Sequence, residues 1–490
     1  MLSLKERTVS GVKWQVINNV LQKVISVGTF AVLARILEPS AFGLFAMAFV
    51  AIDGLGMFKT FGLDAGIVQK KDSPESAQHT AFFLIQGMGV ALFLLCFAFA
   101  PFAGYFFKNQ EVGSILRALG VIFIMTGFGR IPAAILTKHM RFRLMSIIEL
   151  VGSTVNCFFA IIFALVSPTV WSLVWAYLIK QVTMTGLTWY FSGYRMKWQF
   201  DSRIAKELFH FGKYMIGISL LWYVGSNAGN TIVGKILGAT ALGYFALASN
   251  IGNFINTNFT YIVSRIMFPA YAAIQDESEA IKRAYLKTVK YISMFSIPFS
   301  VTLICLGKEI MLTLYGPKWL PAVPLVQLFG VIQMIVPIVI CSGSLFRGCG
   351  KPGWEFNMTL WRLLVGIPIG IFFTLKWGLI GAVVAGIVGN AIFTPINIYL
   401  DWKLVKFTFK EFFEALQPSI VCSIVMTLTV VLVKNAFFLN SILAKMVSQN
   451  FVQLLVFGFV GLLAYLAAFF CIDRRTVFEI KQMLFQFERA

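Results

Sequence analysis

The sequence predicts an all-α membrane protein of about fourteen transmembrane helices: two parallel six-helix halves plus two C-terminal helices. Three observations carry this prediction. Hydrophobic residues make up 58% of the chain and charged residues 13%, more apolar surface than a soluble domain of 490 residues can cover. Apolar runs of about 20 residues, long enough to cross hydrocarbon as helices, recur along the whole chain. One corner sequence occurs twice, RILEPSAFGLFAMA at 35–48 and KILGATALGYFALA at 235–248.

The runs fall near 12–36, 42–66, 80–107, 113–137, 145–166, 169–193, 208–237, 241–272, 289–315, 322–348, 355–376, 379–401, 412–434 and 450–472. The first residues carry Lys5, Glu6, Arg7 and Lys13 and lead into a span with no small-residue cleavage site, so an uncleaved first helix is expected. Cations then crowd alternate loops: Lys70 and Lys71, Lys138 with Arg141 and Arg143, and Arg195 through Lys206. The later loops on that side carry Lys282 to Lys290, Lys403 to Lys410, and Arg474 with Arg475. The bias over the opposite loops is roughly three to one, which predicts both termini in the cytoplasm and an even helix count.

The repeat sets the organisation. Ile36, Leu37, Ala41, Gly43, Phe45, Ala46 and Ala48 recur as Ile236, Leu237, Ala241, Gly243, Phe245, Ala246 and Ala248, with a cation at both Arg35 and Lys235. Six helices precede the second half, so the repeats are parallel, related by an axis along the membrane normal. The expected division is 1–200 for the first six-helix lobe and 201–405 for the second, with 406–490 holding two added helices and a tail. Segments 276–290 and 473–490 mix charges and apolar residues at helical spacing and read as surface-lying amphipathic helices. Trp171, Trp175, Trp189 and Trp319 read as interfacial belts.

Composition also excludes classes. The 41 Lys and Arg against 21 Asp and Glu lie between or singly within apolar runs, not in a basic domain, so nucleic acid is not an expected partner. Seven cysteines stand singly, without disulfide or metal spacing. No nucleotide-binding sequence, nucleophile constellation or sizeable outer loop is present, so an enzyme is not expected. No repeated filter sequence points to a channel.

The string LARILEPSAFGLFAMA, followed by FGLDAGIVQKKD, RIMFPAYAAIQDESEAIKRAYLKTVK, YGPKWLPAVPLVQLFG and SLFRGCGKP, resembles bacterial polysaccharide exporters. These belong to the multidrug/oligosaccharidyl-lipid/polysaccharide flippase superfamily, and the colanic-acid-exporter type is the nearest. The resemblance spans nearly the whole chain. It implies two six-helix lobes around a V-shaped central cavity, and movement of a lipid-linked oligosaccharide across the bacterial inner membrane by alternating access. The partners so implied are that glycolipid, the surrounding membrane lipids and polysaccharide polymerase machinery.

Charges inside membrane helices cost about 2.5–3.5 kcal/mol each on insertion scales, so they usually face an interior. Lys23 lies in the first helix beside Asn18, Asn19 and Gln22; Lys180 lies in the sixth beside Gln181, Thr183 and Thr185. Arg265 follows a polar run that includes Asn250, Asn253 and Asn256. Lys59, Arg130, Arg347 and Arg362 lie nearer helix ends, where snorkelling to headgroups competes with a functional role. More cations than carboxylates suits an anionic cargo such as a polyprenyl diphosphate, met by charge-assisted hydrogen bonds. Asn256 and its polar neighbours suit sugar hydroxyls or helix packing. A drug antiporter of the same superfamily is the alternative, and it would be expected to carry anionic cavity residues instead. No cofactor is expected, but proton or sodium coupling would need a membrane carboxylate. Asp53 and Glu149 are the candidates, and for Asp53 an ion pair with Lys23 or Lys59 competes with coupling.

Overall fold

The computed structural model describes residues 4–58, 75–439, 450–474 and 476, and every element among them is helical. In order these are α1 (Leu4–Ile36), α2 (Pro39–Gly56), α3 (Glu75–Phe106), α4 (Gln110–Lys138), α5 (Phe142–Val166), α6 (Val170–Ser192) and α7 (Ser202–Leu237). Then come α8 (Ala239–Gly252), a π-helical turn (Asn256–Thr260), α9 (Tyr261–Ala273) and α10 (Ser278–Leu314). A 3-10 turn (Pro317–Ala322) leads to α11 (Val323–Gly348), α12 (Pro352–Val405), α13 (Phe409–Leu439) and α14 (Asn450–Ile472).

Among the described residues, 10 helices are long and apolar enough to cross a membrane. One of them, α12, holds two of the expected runs as legs that meet at Gly378, whose φ of 62° and ψ of −138° are open to glycine and strained for other residues. Three expected runs, now α6, α7 and α8–α9, are absent from the ten. All three carry polar residues amid their apolar ones: Lys180 and Gln181 in α6, Asn227 and Asn230 in α7, Asn250 and Arg265 in α8–α9. Of these, Lys180 and Arg265 are candidate site residues of the sequence reading.

The chain divides into two compact units, Met1–Gly243 and Tyr244–Ala490. In the first, α3 packs on α4, α4 on α6, α5 on α6, and α1 on α5. There α7 packs on α2 and α3, whereas its repeat counterpart α1 packs on α5. In the second unit α10 packs on α11, α13 and α14; α11 also meets α9 and α12.

The repeated corner shows why its small residues are needed. Within the first unit, a Cβ on Gly43 would overlap the Ala239 carbonyl, and one on Gly243 would overlap the Pro39 carbonyl. Ala239 is the repeat counterpart of Pro39, so matching positions touch reciprocally. Such backbone contact is open only to glycine. Pro39 starts α2, where a missing N–H costs nothing, and Gly238 turns the second corner at φ +85°. Lys235 donates to the Phe106 carbonyl and lies over the Phe106 ring, capping the negative end of α3.

Two expectations need correction. Residues 278–290 do not form a separate surface helix; they are the first turns of α10, because Ile281, Tyr285 and Val289 are buried in a core with Tyr271, Leu345, Phe407 and Phe412. Trp319 does not sit in an interfacial belt. It is fully buried, held by the 3-10 turn edge-on to Tyr244 at 5.8 Å. The tail call on 473–490 falls mostly outside the described residues. Its start is fixed: Lys290 pairs with Asp473 at 2.5 Å. Burial pushes the Asp473 carboxyl up, but Lys290 and Thr476 together hold it below the ordinary carboxylate range.

The two added helices are fastened to the second unit by charge as well as by packing. Lys434 of α13 pairs with Glu309 of α10 at 2.7 Å and donates to the Cys305 carbonyl at 2.6 Å. All seven cysteines are free thiols.

Candidate substrate site

In the first unit the structure gathers residues that are far apart in sequence. Asn18 and Gln22 stand one helical turn apart on α1 and both donate to Glu149 Oε2 on α5, at 2.8 and 3.1 Å. Lys180 of α6 lies within electrostatic reach of Glu149. Gly152 makes this possible: its missing Cβ leaves room for Met184, with the Lys180 stem beside it. Asn18 is buried, and its Oδ1 has no hydrogen-bond partner. Lys23 follows Gln22 on α1 and is exposed.

The other polar residues of α6 mostly serve packing. Thr185 donates to the Met125 carbonyl at 3.1 Å and Trp189 to the Phe128 carbonyl at 2.7 Å, fastening α6 to α4. Thr183 bonds back to Ile179 in its own helix. Gln181 bonds the Tyr177 hydroxyl. Asp53, exposed on α2, is close enough for its charge to act on Tyr177 and on Tyr223 of α7. Tyr223 donates to the Val50 carbonyl at 2.7 Å and occupies the space that Gly54 leaves. None of the ion pairs among the described residues involves Asp53, and Lys59 lies outside the described residues.

The second unit holds the remaining candidates, and the structure separates their circumstances. Arg347 is engaged by Glu355 through two hydrogen bonds of 2.5 and 2.7 Å, in a space opened by Gly343. Arg362 is half-buried on the first leg of α12, with its guanidinium 6.0 Å from the Phe393 ring and Nε buried without a hydrogen-bond partner. Arg265 is exposed on α9, as Arg130 is on α4 of the first unit. The Asn-rich run is partly consumed locally: Asn253 accepts from Gln333 at 3.0 Å, and Asn258 donates to the Phe254 carbonyl at 2.6 Å. Asn256 opens the π-helical turn, where Asn256 Oδ1 and Thr260 Oγ1 are buried without partners. Such turns widen a helix by one residue and gather at functional sites.

A groove of about 370 Å³ runs between α10 and the two added helices. It is lined by Phe295, Pro298 and Phe299 of α10, Met426 of α13, and Leu462 and Leu466 of α14.

Residues 32–324 match the family described as "Polysaccharide biosynthesis protein". The chain belongs to that family. Among relatives, the chain is 24% identical over 421 residues to the lipopolysaccharide biosynthesis protein WzxC of Escherichia coli K12, covering 85% of this chain and 82% of that one. Among solved structures it resembles a lipid II flippase MurJ in an inward closed conformation, with a TM-score of 0.77 and 14% identity over 95% of this chain and 100% of that one. It also resembles an inward-facing multidrug resistance MATE family transporter, with a TM-score of 0.61 and 17% identity over 79% of this chain and 96% of that one. The family member is therefore a multi-span membrane protein that shares its fold with these two solved structures.

Sequence reasoning missed two carboxylates that the structure makes prominent. Glu309 and Asp401 both stand near the ends of apolar runs, where a charge reads as the start of a loop. Only their distant partners, Lys434 for the one and Tyr285 with Ser342 for the other, show that they are interior.

Proposed function

We propose that this chain is a flippase that carries a polyprenyl-diphosphate-linked oligosaccharide repeat unit from the cytoplasmic to the outer leaflet of the bacterial inner membrane. It works by alternating access, with both termini cytoplasmic, and feeds surface polysaccharide export. The observation that carries this reading is the family match over residues 32–324. The site chemistry supports it. Arg362 brings a half-buried cation with an unused donor, and Lys180 brings another beside the hydrogen-bonding pair Asn18 and Gln22. A diphosphate is met by such cations through short, charge-assisted bonds. Asn18 Oδ1 and Asn256 Oδ1 are acceptors that sugar hydroxyls can satisfy. The apolar groove beside α13 and α14 suits a polyprenyl tail.

Within this reading Lys23 and Lys180 of the first unit bind the diphosphate, Arg265 and Arg362 are the second unit's own candidates for that role, and polymerase machinery receives the product. Arg347 is a weaker candidate, because binding substrate would strip Glu355 of its partner. Deleting the gene in its host should build up one lipid-linked glycan on the cytoplasmic side, and that glycan names the cargo. Accumulation of no glycan, with gain of sensitivity to cationic drugs, would favour the antiporter instead. Lys180→Gln should lower export about tenfold or more, the loss of one charge-assisted bond of about 1.5–3 kcal/mol, while the protein stays folded.

A further inference from the structure

Asp401 is the most enclosed carboxylate among the described residues, 1% exposed near the end of α12. It sits where four helices meet. Tyr285 of α10 donates to its Oδ2 at 2.8 Å, and Ser342 of α11 donates to the same oxygen at 2.6 Å. Its Oδ1 is buried and has no hydrogen-bond partner. No ion pair among the described residues includes it.

Among the described residues, none of the groups that act on it carries a positive charge. From α9 comes Tyr271, from α10 Tyr285, and from α11 Cys341. From beyond α12, Phe407 stacks on Tyr285 at 5.5 Å, and Phe412 closes the apolar cluster. Lys403 of the same helix reaches the Trp354 ring instead. Tyr271 gives its hydroxyl to Thr288 at 3.0 Å, so its hydrogen is already placed. A bare carboxylate held by two hydroxyls on one oxygen, with the other oxygen orphaned, is a poor resting state for a dry interior.

We propose that Asp401 is a proton-binding site, loaded when α9, α10, α11 and α12 are closed around it as they are here. The proton comes from solvent hydronium: one of its O–H bonds breaks, leaving a water molecule, and an O–H bond forms on Asp401 Oδ2. That hydrogen is then donated across the 2.6 Å contact to Ser342 Oγ, which reverses its role and turns its own hydrogen towards a carbonyl one turn back in α11. Tyr285 continues to donate to Oδ2. The loaded site is neutral, and the two hydroxyls stay on hand to receive the anion when the helices part and the proton leaves. A metal ion fits less well, since it needs oxygens on several sides and only one carboxylate and two hydroxyls meet within this aromatic cluster. Asp401 belongs to the second unit, whereas Asp53 and Glu149 belong to the first.

Infrared spectroscopy of the full chain in lipid tests this without any transport assay. At neutral pH the wild type should show the carbonyl band of a protonated, hydrogen-bonded carboxylic acid, and Asp401→Asn should remove it. Glu149→Gln and Glu309→Gln should leave it in place. Ser342→Ala keeps the carboxyl but takes away one partner, so it should shift the band to the frequency of a less bonded acid; this arm stands even if Asp401→Asn fails to fold. Absence of the band, or its persistence in a folded Asp401→Asn protein, overturns the proposal. So does its loss on adding sodium at constant pH, which would make the site one for a cation.

Discussion

Glu149 shows how much one side chain can organise. Its Oε2 accepts from two residues of α1 and lies near a lysine of α6, so three helices depend on a single carboxylate. Glu149→Ala should leave both amides without their acceptor and lower stability by about 1–3 kcal/mol, seen as an earlier thermal transition in detergent. Glu149→Gln keeps an acceptor oxygen and should lose less. Asp53 makes the opposite case, since its neighbours are the hydroxyls of Tyr177 and Tyr223 and not a structural cation among the described residues. If it carries the coupling ion, Asp53→Asn should abolish the response of vesicle transport to proton and sodium gradients while sparing substrate binding. An unchanged response would leave Asp53 a structural residue.

At the scale of elements, close approach and charge each hold something that propensity alone would not. Gly43→Ala and Gly243→Ala should each force the repeated corners apart and cost about 1–3 kcal/mol in unfolding experiments. Gly28→Ala is the control, because its Cβ would meet nothing within 4 Å. The Lys434–Glu309 pair ties α13 to α10. Replacing Lys434 by Met should loosen α13, measured as faster proteolysis near its end, because Glu309 would stay enclosed without its cation. The helices themselves were legible in the sequence wherever hydropathy decides, and so was the corner, whose identities cluster around small residues. The sequence reading took 169–193 as a run, yet α6 is not among the ten spans, because Lys180 and its neighbours lower the apolar signal of the segment.

For the molecule as a whole, the sequence showed a repeat but not where compactness divides. The repeat places its boundary near residue 200, while the compact units meet at Gly243, because α7 packs on α2 and α3 of the first unit. Contacts at long range in sequence are what decide such a question, and no local pattern encodes them. The same limit applied to the site: Lys180 and Glu149 were each visible as charges, but their gathering with Asn18 and Gln22 was not. The reciprocal contact at the corner has a further meaning. In the language of assemblies it is isologous, since position 43 of one copy meets 239 of the other and position 243 meets 39, as at the axis of a two-fold dimer. Here the dimer is written into one chain, so its second copy is present at fixed proximity and cannot dissociate. The copies have therefore been able to drift apart in chemistry, Asp53 against Asn253 and Glu38 against Gly238, while the pair of glycines at the axis leaves no room for either to change alone.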